Sequence, residues 1–309
     1  MRDARPTAIY LKDYQPPDYL VERTELYFDL REEHTLVRAR LQLKRNESVA
    51  AATALQLHGA ELDLLSLRLD GQTLAPERYS VTEGGLEVPG VPASFVLECE
   101  TRLRPQDNTA LEGLYRSQSM YCTQCEAHGF RRITYYPDRP DVMSVFTVSI
   151  EADKSSYPVL LSNGNLTQVE DLDNGRQRAS WHDPFPKPAY LFALVAGDLR
   201  STYGEFTTAS GKHVDLNIWV RPGRDELKAP FALEALTQSM RWDEQVYGRE
   251  YDLEVFNIVA VDDFNMGAME NKGLNIFNSS AVLASAETAT DLNFERIEAI
   301  IAHEYFHNW

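Results

Sequence analysis

The sequence predicts two joined architectures: a mainly β N-terminal domain of antiparallel, sandwich or saddle-like sheets, followed by an α/β domain. Three observations carry this. Apolar residues alternate with polar ones through the first two-thirds of the chain, turn dipeptides separate the alternating runs, and the apolar period changes from 2 to 3.6 near residue 230.

In "HTLVRARLQLKRN", Val37, Ala39, Leu41 and Leu43 alternate with Arg38, Arg40, Gln42 and Lys44, the pattern of a half-buried strand. "FVLECETRL" repeats it with Phe95, Leu97, Cys99, Thr101 and Leu103, as do Leu26, Phe28 and Leu30, and Phe146, Val148 and Ile150. Asp70-Gly71, Gly84-Gly85, Asn163-Gly164 and Asn174-Gly175 read as hairpin turns between strands. The prolines 184, 186 and 188 precede "AYLFALVAGDL", and a domain boundary is expected soon after, giving residues 1–198 and 199–309. Beyond it, "HVDLNIWV" is a strand with Val214, Leu216, Ile218 and Val220 on one face. A helix is expected over about residues 230–247, with Leu233, Leu236, Met240 and Tyr247 on its apolar side and Gly248 ending it. "LEVFNIVAV" is apolar throughout, as a strand covered on both faces should be. Thr290 or Asp291 can cap a last helix whose stripe is Phe294, Ile297 and Ile301.

Composition narrows the function. The chain has 309 residues, 43% of them hydrophobic and 25% charged, an ordinary globular balance. A formal net charge of −17 argues against nucleic-acid partners or an anionic membrane surface, which need a basic face, and suits cationic groups. No apolar stretch of signal-peptide length opens the sequence, and the longest clean apolar run, residues 189–196, is far too short to span a membrane. Three cysteines, Cys99, Cys122 and Cys125, make no disulfide framework, so a reducing, cytoplasmic setting is expected and the sequons at Asn46, Asn165 and Asn278 read as unmodified. A monomer is expected.

The last helix carries "HEYFHNW". His303 and His307 are one turn apart and project from nearly the same face, so two neutral nitrogens can reach one metal ion. Glu304 lies beside them, placed to take a proton from water activated by the metal. Zinc suits such a borderline-soft site. Composition alone would produce this pattern in about one chain in a hundred of this length, so the second motif matters. It is "FNMGAMENKGLNIFN", residues 264–278.

Together, GAMEN at residues 267–271 and HExxH-N-W about thirty residues later resemble the signature of the zinc aminopeptidases of the aminopeptidase N type. "NTALEGLYRSQSMYCTQCEAHGFRRITYYPDRPDVMSVFTV", "YPVLLSNGN" and "DPFPKPAYLFALVAGDL" extend the resemblance, especially to the bacterial enzymes, over essentially the whole chain.

The resemblance implies a thermolysin-like (gluzincin) catalytic domain after the β-domain, one Zn2+ held by His303 and His307, and Glu304 as general base. It implies that Glu270 grips the free amino group of a peptide substrate, with the strand Gly267, Ala268, Met269 and Asn271 running beside it. Glu126 from the β-domain would be the second carboxylate, and Gln124 and Met266 would line the pocket for the first side chain. A peptide's α-amino group is largely cationic at neutral pH, so two convergent carboxylates would neutralise it and fix the enzyme as an exopeptidase. A non-proline cis peptide at Glu126–Ala127 is also implied. Cys122 and Cys125 imitate a redox CxxC but read as structural thiols, because no second pair and no thioredoxin-like pattern accompany them.

In the family a third zinc ligand, a Glu on the helix after HExxH, and an oxyanion-stabilising Tyr follow. Neither has a counterpart in these 309 residues, so the α/β domain is expected to be truncated after HExxH. The expectation is that this stretch alone binds zinc weakly or not at all, with His307 in a fraying last turn, and does not hydrolyse peptides. Two rival readings are a non-catalytic module that binds peptide N-termini and an HExxH endopeptidase. GAMEN discriminates against the second, which has no use for an amine clamp.

Overall fold

The computed structural model describes residues 10–49 and 54–309; the N-terminal stretch through residue 9 lies outside them. The long alternating segments build an eight-stranded sheet. Its order is Asn165–Asp171, Arg176–Pro188, Met143–Asp153, Tyr19–Leu30, Thr35–Arg45, Ser94–Leu103, Asp63–Leu69 and Gln72–Thr73. Every pairing is antiparallel except that of Tyr19–Leu30 with Met143–Asp153.

Register follows the apolar alternation. Trp181, Val148, Leu26, Ala39, Cys99 and Leu67 form one row across six strands, and all six are buried. A slip of one residue in any strand would turn its share of that row to water, which is why the register is unambiguous. On the opposite face Arg40 meets Glu25 and Arg38 meets Glu100, each at 3.0 Å and exposed, contacts of small energetic weight.

Two of the four turn dipeptides make the hairpins the sequence predicts. Asp70 and Gly71 have φ of 47° and 77°, and Asn174 and Gly175 have φ of 60° and 71°, the left-handed pair that matches strand twist. The Gly84 turn lies one residue earlier than expected, at Glu83-Gly84, because Gly85 is already paired to His58. Asn163-Gly164 is not a hairpin. It carries the chain from Val159–Ser162, in a four-stranded sheet, to Asn165–Asp171 in the eight-stranded one. The buried Asn163 side chain holds this crossing together, donating to the carbonyls of Leu191 and Lys272 and accepting from Ala193 N–H.

The four-stranded sheet, Val159–Ser162, Leu194–Gly197, Met120–Gln124 and Gly113–Ser117, is the innermost layer. Met120–Gln124 and Leu194–Gly197 are buried at every position. Phe130, Phe146 and Phe192 pack with Tyr136 and Phe28 between this sheet and the larger one. The pocket of Asp183 and Lys187 is closed too. Their charged groups are 3.0 Å apart, both side chains are almost fully buried, and the ammonium lies 4.0 Å from the Phe146 ring centre.

Between Gly197 and Arg200 the chain enters a five-stranded sheet, ordered Arg200–Thr207, His213–Val220, Val255–Val261, Leu274–Asn278 and Ala268–Met269. Two helices cover one face: α1, Pro230–Tyr247, ended by Gly248 at φ 62°, and α2, Asp291–Phe306, whose Asn293 side chain accepts from the Thr290 N–H. The buried side of α1 is Ala232, Ala235, Leu236, Ser239, Met240 and Asp243; Tyr247 is half exposed, contrary to expectation, because the stripe rotates toward Asp243 in the last turns. α2 buries Ile297 and Ile301, and continues the stripe into Glu304 and Tyr305. Val255–Val261 is covered on both faces. Phe256, Ile258 and Ala260 pack under the helices, while Val259 and Val261 join the core of the β-domain.

Removing one member of the buried ion pair leaves the other charge uncompensated. Lys187→Met is therefore expected to lower stability by about 3–5 kcal/mol in urea unfolding. Adding Asp183→Asn, which keeps the acceptor for Phe185 N–H, should recover most of that loss. An unchanged urea midpoint in the single variant would show that the pair is not what closes this pocket.

Candidate active site

The site forms where the innermost β-sheet meets the free edge of the five-stranded sheet. Ala268–Met269 is the edge strand, paired antiparallel to Leu274–Asn278 with Ala268 opposite Phe277. The Gly267 carbonyl accepts from Asn278 N–H at 2.9 Å. In antiparallel pairing the polar groups of successive residues alternate in direction, so Ala268 turns its N–H and C=O to the open edge, while the Gly267 carbonyl is already engaged. The turn after this strand is tight. Leu274 N–H bonds the Asn271 carbonyl, and Gly273, at φ 74°, lies so close to Gly164 that a Cβ would come within 3.2 Å of its nitrogen. Glycine at 273 lets the crossing at Asn163-Gly164 dock onto this turn, while Gly164, at φ 87°, lies against the His182 backbone, where a Cβ would come within 2.2 Å of the carbonyl oxygen.

The other wall comes from the β-domain. Met120–Gln124 ends in Cys125 and Glu126, and the Glu126–Ala127 peptide is cis. Hydrogen bonds lock this hairpin to the loop before the edge strand: Tyr115 Oη to the Asp263 carbonyl at 2.8 Å, Ser117 Oγ to the Asp263 carboxylate at 2.7 Å, and Gln124 Nε2 to Met266 Sδ at 2.9 Å. Residues 142 to 148 positions apart in the chain thereby share one cleft.

Three carboxylates gather there. Burial pushes the Glu304 carboxyl up to about 7, and the nearby charges of Glu270 and then Glu126 add to it. Burial also raises Glu126, with Glu270 adding and His307 opposing. Ligand atoms of Glu270, Glu304 and His307 lie within 4.8 Å of one another. Glu304 is only 7% exposed, whereas His303 and His307 are exposed and Glu270 is half-buried. Tyr190, which nothing in "KPAYLF" singles out, also lines the carboxylate cluster: burial, then Glu270 and Glu126, raise its hydroxyl pKa.

His303 Nε2 and His307 Nε2 are 3.0 Å apart. Two nitrogens bound to one tetrahedral zinc at 2.0–2.1 Å stand about 3.3 Å apart, so the pair fits a shared ion. Hydrogen bonds close the last turn of α2 in this structure. His307, Asn308 and Trp309 N–H groups bond the carbonyls of His303, Tyr305 and Phe306, and Trp309 Nε1 donates to Asp243 Oδ2 at 2.9 Å.

The remaining sequence candidates divide. Met266 is 40% exposed at the cleft, and Gln124 reaches it from a buried position. Met269 is fully buried and Asn271 is 1% exposed, so both side chains are withdrawn into the core behind the edge strand. Cys122 and Cys125 are buried free thiols; burial pushes the Cys122 pKa up to about 12, so it is not a thiolate at neutral pH.

Known proteins repeat this arrangement in sequence. A model of the peptidase M1 N-terminal domain matches residues 34–191, and one of the peptidase family M1 domain matches residues 231–309. Aminopeptidase N of Caulobacter vibrioides is 53% identical over 100% of this chain, and that of Escherichia coli is 50% identical over 99%. The chain spans 35% and 34% of those two proteins. The crystal structure of Legionella pneumophila aminopeptidase A in complex with aspartic acid superposes with a TM-score of 0.93 at 37% identity, covering 97% of this chain and 35% of that one. Two family models in chain order cover both sides of the cleft, with half of all residues in the first alone, and the chain belongs to peptidase family M1.

Proposed function

We propose that the protein is a zinc-dependent aminopeptidase of the aminopeptidase N type, releasing N-terminal residues from peptides as a cytoplasmic monomer. The observation that carries this is the gathering of Glu126, Glu270 and Glu304 beside the paired imidazoles, at a sheet edge open to a peptide strand. The names of its relatives point the same way. Buried free thiols suit a reducing compartment, and among the described residues no helix is long and apolar enough to cross a membrane.

His303 and His307 would hold the zinc. With two imidazoles in this stretch, tight binding needs a third protein donor. Zinc, when bound, polarises the scissile carbonyl and acidifies water. The protein's own residues do the rest. Glu126 and Glu270 accept hydrogen bonds from the substrate's α-ammonium and so set how far the chain end enters. The outward N–H and C=O of Ala268 pair with the substrate backbone as an added strand. Glu304 takes the proton of the attacking water and delivers it to the leaving amine nitrogen, and a carboxyl titrating near 7 suits that two-way role. A module that only binds peptide ends would have no need of a buried, raised Glu304 beside two imidazoles.

Hydrolysis of alanine p-nitroanilide by the full-length protein, with its N-acetyl form as the control, tests the reading. The free amine should be cleaved and the acetylated form spared. Glu270→Ala should lower kcat/KM for the free amine by about 30- to 1000-fold, the cost of about 2–4 kcal/mol for a lost charge-assisted contact. Equal cleavage of both substrates would refute the amine clamp.

Glu304 makes a second test in the metal-free protein. An acid whose pKa rises on folding stabilises the fold while protonated, below its ordinary value near 4.5, and that contribution is lost as pH rises to 7 and beyond. Glu304→Gln, neutral throughout, should therefore gain up to about 3 kcal/mol over the unsubstituted protein at pH 8 and little at pH 4. Parallel stability profiles for the two proteins would contradict a buried Glu304.

A further inference from the structure

Asp243 sits on the buried side of α1, 2% exposed, in a position where helices ordinarily carry an apolar residue. Its Oδ2 accepts the indole N–H of Trp309 at 2.9 Å. Trp309 lies two residues beyond His307, and His307 is the residue that closes α2. Around this contact the Tyr247 and Phe306 rings pack with centroids 5.4 Å apart, and Asn308 Nδ2 donates to the Tyr305 carbonyl at 2.7 Å. Asp243 and His303 line the same groove between the two helices.

The physical need for such a contact is plain. His307 must keep its Nε2 beside the Nε2 of His303 for one ion to reach both, which requires the turn that carries it to stay packed against its neighbour α1. The hydrogen bond that the buried Asp243 carboxylate accepts from the Trp309 indole ties the residues that follow His307 to α1. We infer that Asp243 and Trp309 are positioning residues for the metal site: their hydrogen bond fixes the C-terminal turn of α2, and with it the spacing of the two imidazoles. The inference rests on the reading of His303 and His307 as metal ligands.

Three variants of the full-length protein test it: Trp309→Phe, which keeps the ring and removes the donor; Asp243→Ala, which removes the acceptor; and Asp243→Asn, which keeps an acceptor oxygen without the charge. Zinc affinity is read by competition with a chromogenic chelator, site geometry by the visible absorption of the cobalt(II)-substituted protein, and folding by thermal melting. Trp309→Phe and Asp243→Ala should weaken zinc binding by about 10- to 100-fold and alter the cobalt spectrum, with Trp309→Phe melting at the unsubstituted temperature. Asp243→Asn should restore most of the affinity. Unchanged zinc affinity and cobalt spectrum in Trp309→Phe would overturn the inference while leaving the metal site intact, as would affinity losses that only track a fall in melting temperature. No saturable zinc binding by the unsubstituted protein would remove the metal-site reading itself and this inference with it.

Discussion

The cleft exists because one strand belongs to two cores. Val255–Val261 sends Phe256, Ile258 and Ala260 under the helices and Val259 and Val261 into the β-domain. Leu274 and Ile276 of the neighbouring strand join them, and Phe277 packs on the helix side. Burying both faces of a central strand removes the freedom of the two layers to rock against each other, since any tilt would open apolar surface on one side or the other. With that interface fixed, hydrogen bonds from Tyr115 and Ser117 to Asp263 need only set the last ångström of alignment.

Rigid alignment matters because the site is electrostatically unfavourable. Three carboxylates are drawn together in a protein already at −17, and one of them, Glu304, is withdrawn from water. Left free, such groups would splay apart; here each is held by an element with its own apolar anchoring. Glu304 rides on α2 beside buried Ile301 and Tyr305, Glu270 follows the buried Ala268–Met269, and Glu126 follows the buried Met120–Gln124. The repulsion stored in that arrangement is relieved by cations, which is what a metal ion and a peptide ammonium would bring.

Small departures from the expected fold lie at the seams between layers. Asn163-Gly164 has the composition of a hairpin turn but serves as a crossing between sheets, because the Asn163 amide finds three backbone partners there that a surface turn would not provide. Tyr247 falls on the helical stripe by spacing, yet stands half exposed against Phe306 while Asp243 takes the buried place and binds Trp309. In both cases local pattern gave way to a polar contact made across sequence distance.

The sequence by itself determined the long alternating strands and their inward faces, the apolar strand over Val255–Val261, both helices and the metal-ligand spacing, because period 2, period 3.6 and an i, i+4 histidine pair are local consequences of backbone geometry. Residues such as Leu41, Leu97 and Ile297 were legible for that reason. GAMEN and HExxH were legible as motifs, through resemblance. The meeting of Glu126 with Glu270 was legible only through that resemblance, and what only the tertiary structure decided is which other groups meet: Tyr190 with both, Asp183 with Lys187, and Asp243 with Trp309. No periodicity marks these residues, since each acts through a partner brought to it by sheet order and layer packing. The withdrawal of Met269 and Asn271 into the core was equally invisible, because which side of an edge strand faces the cleft depends on what packs behind it.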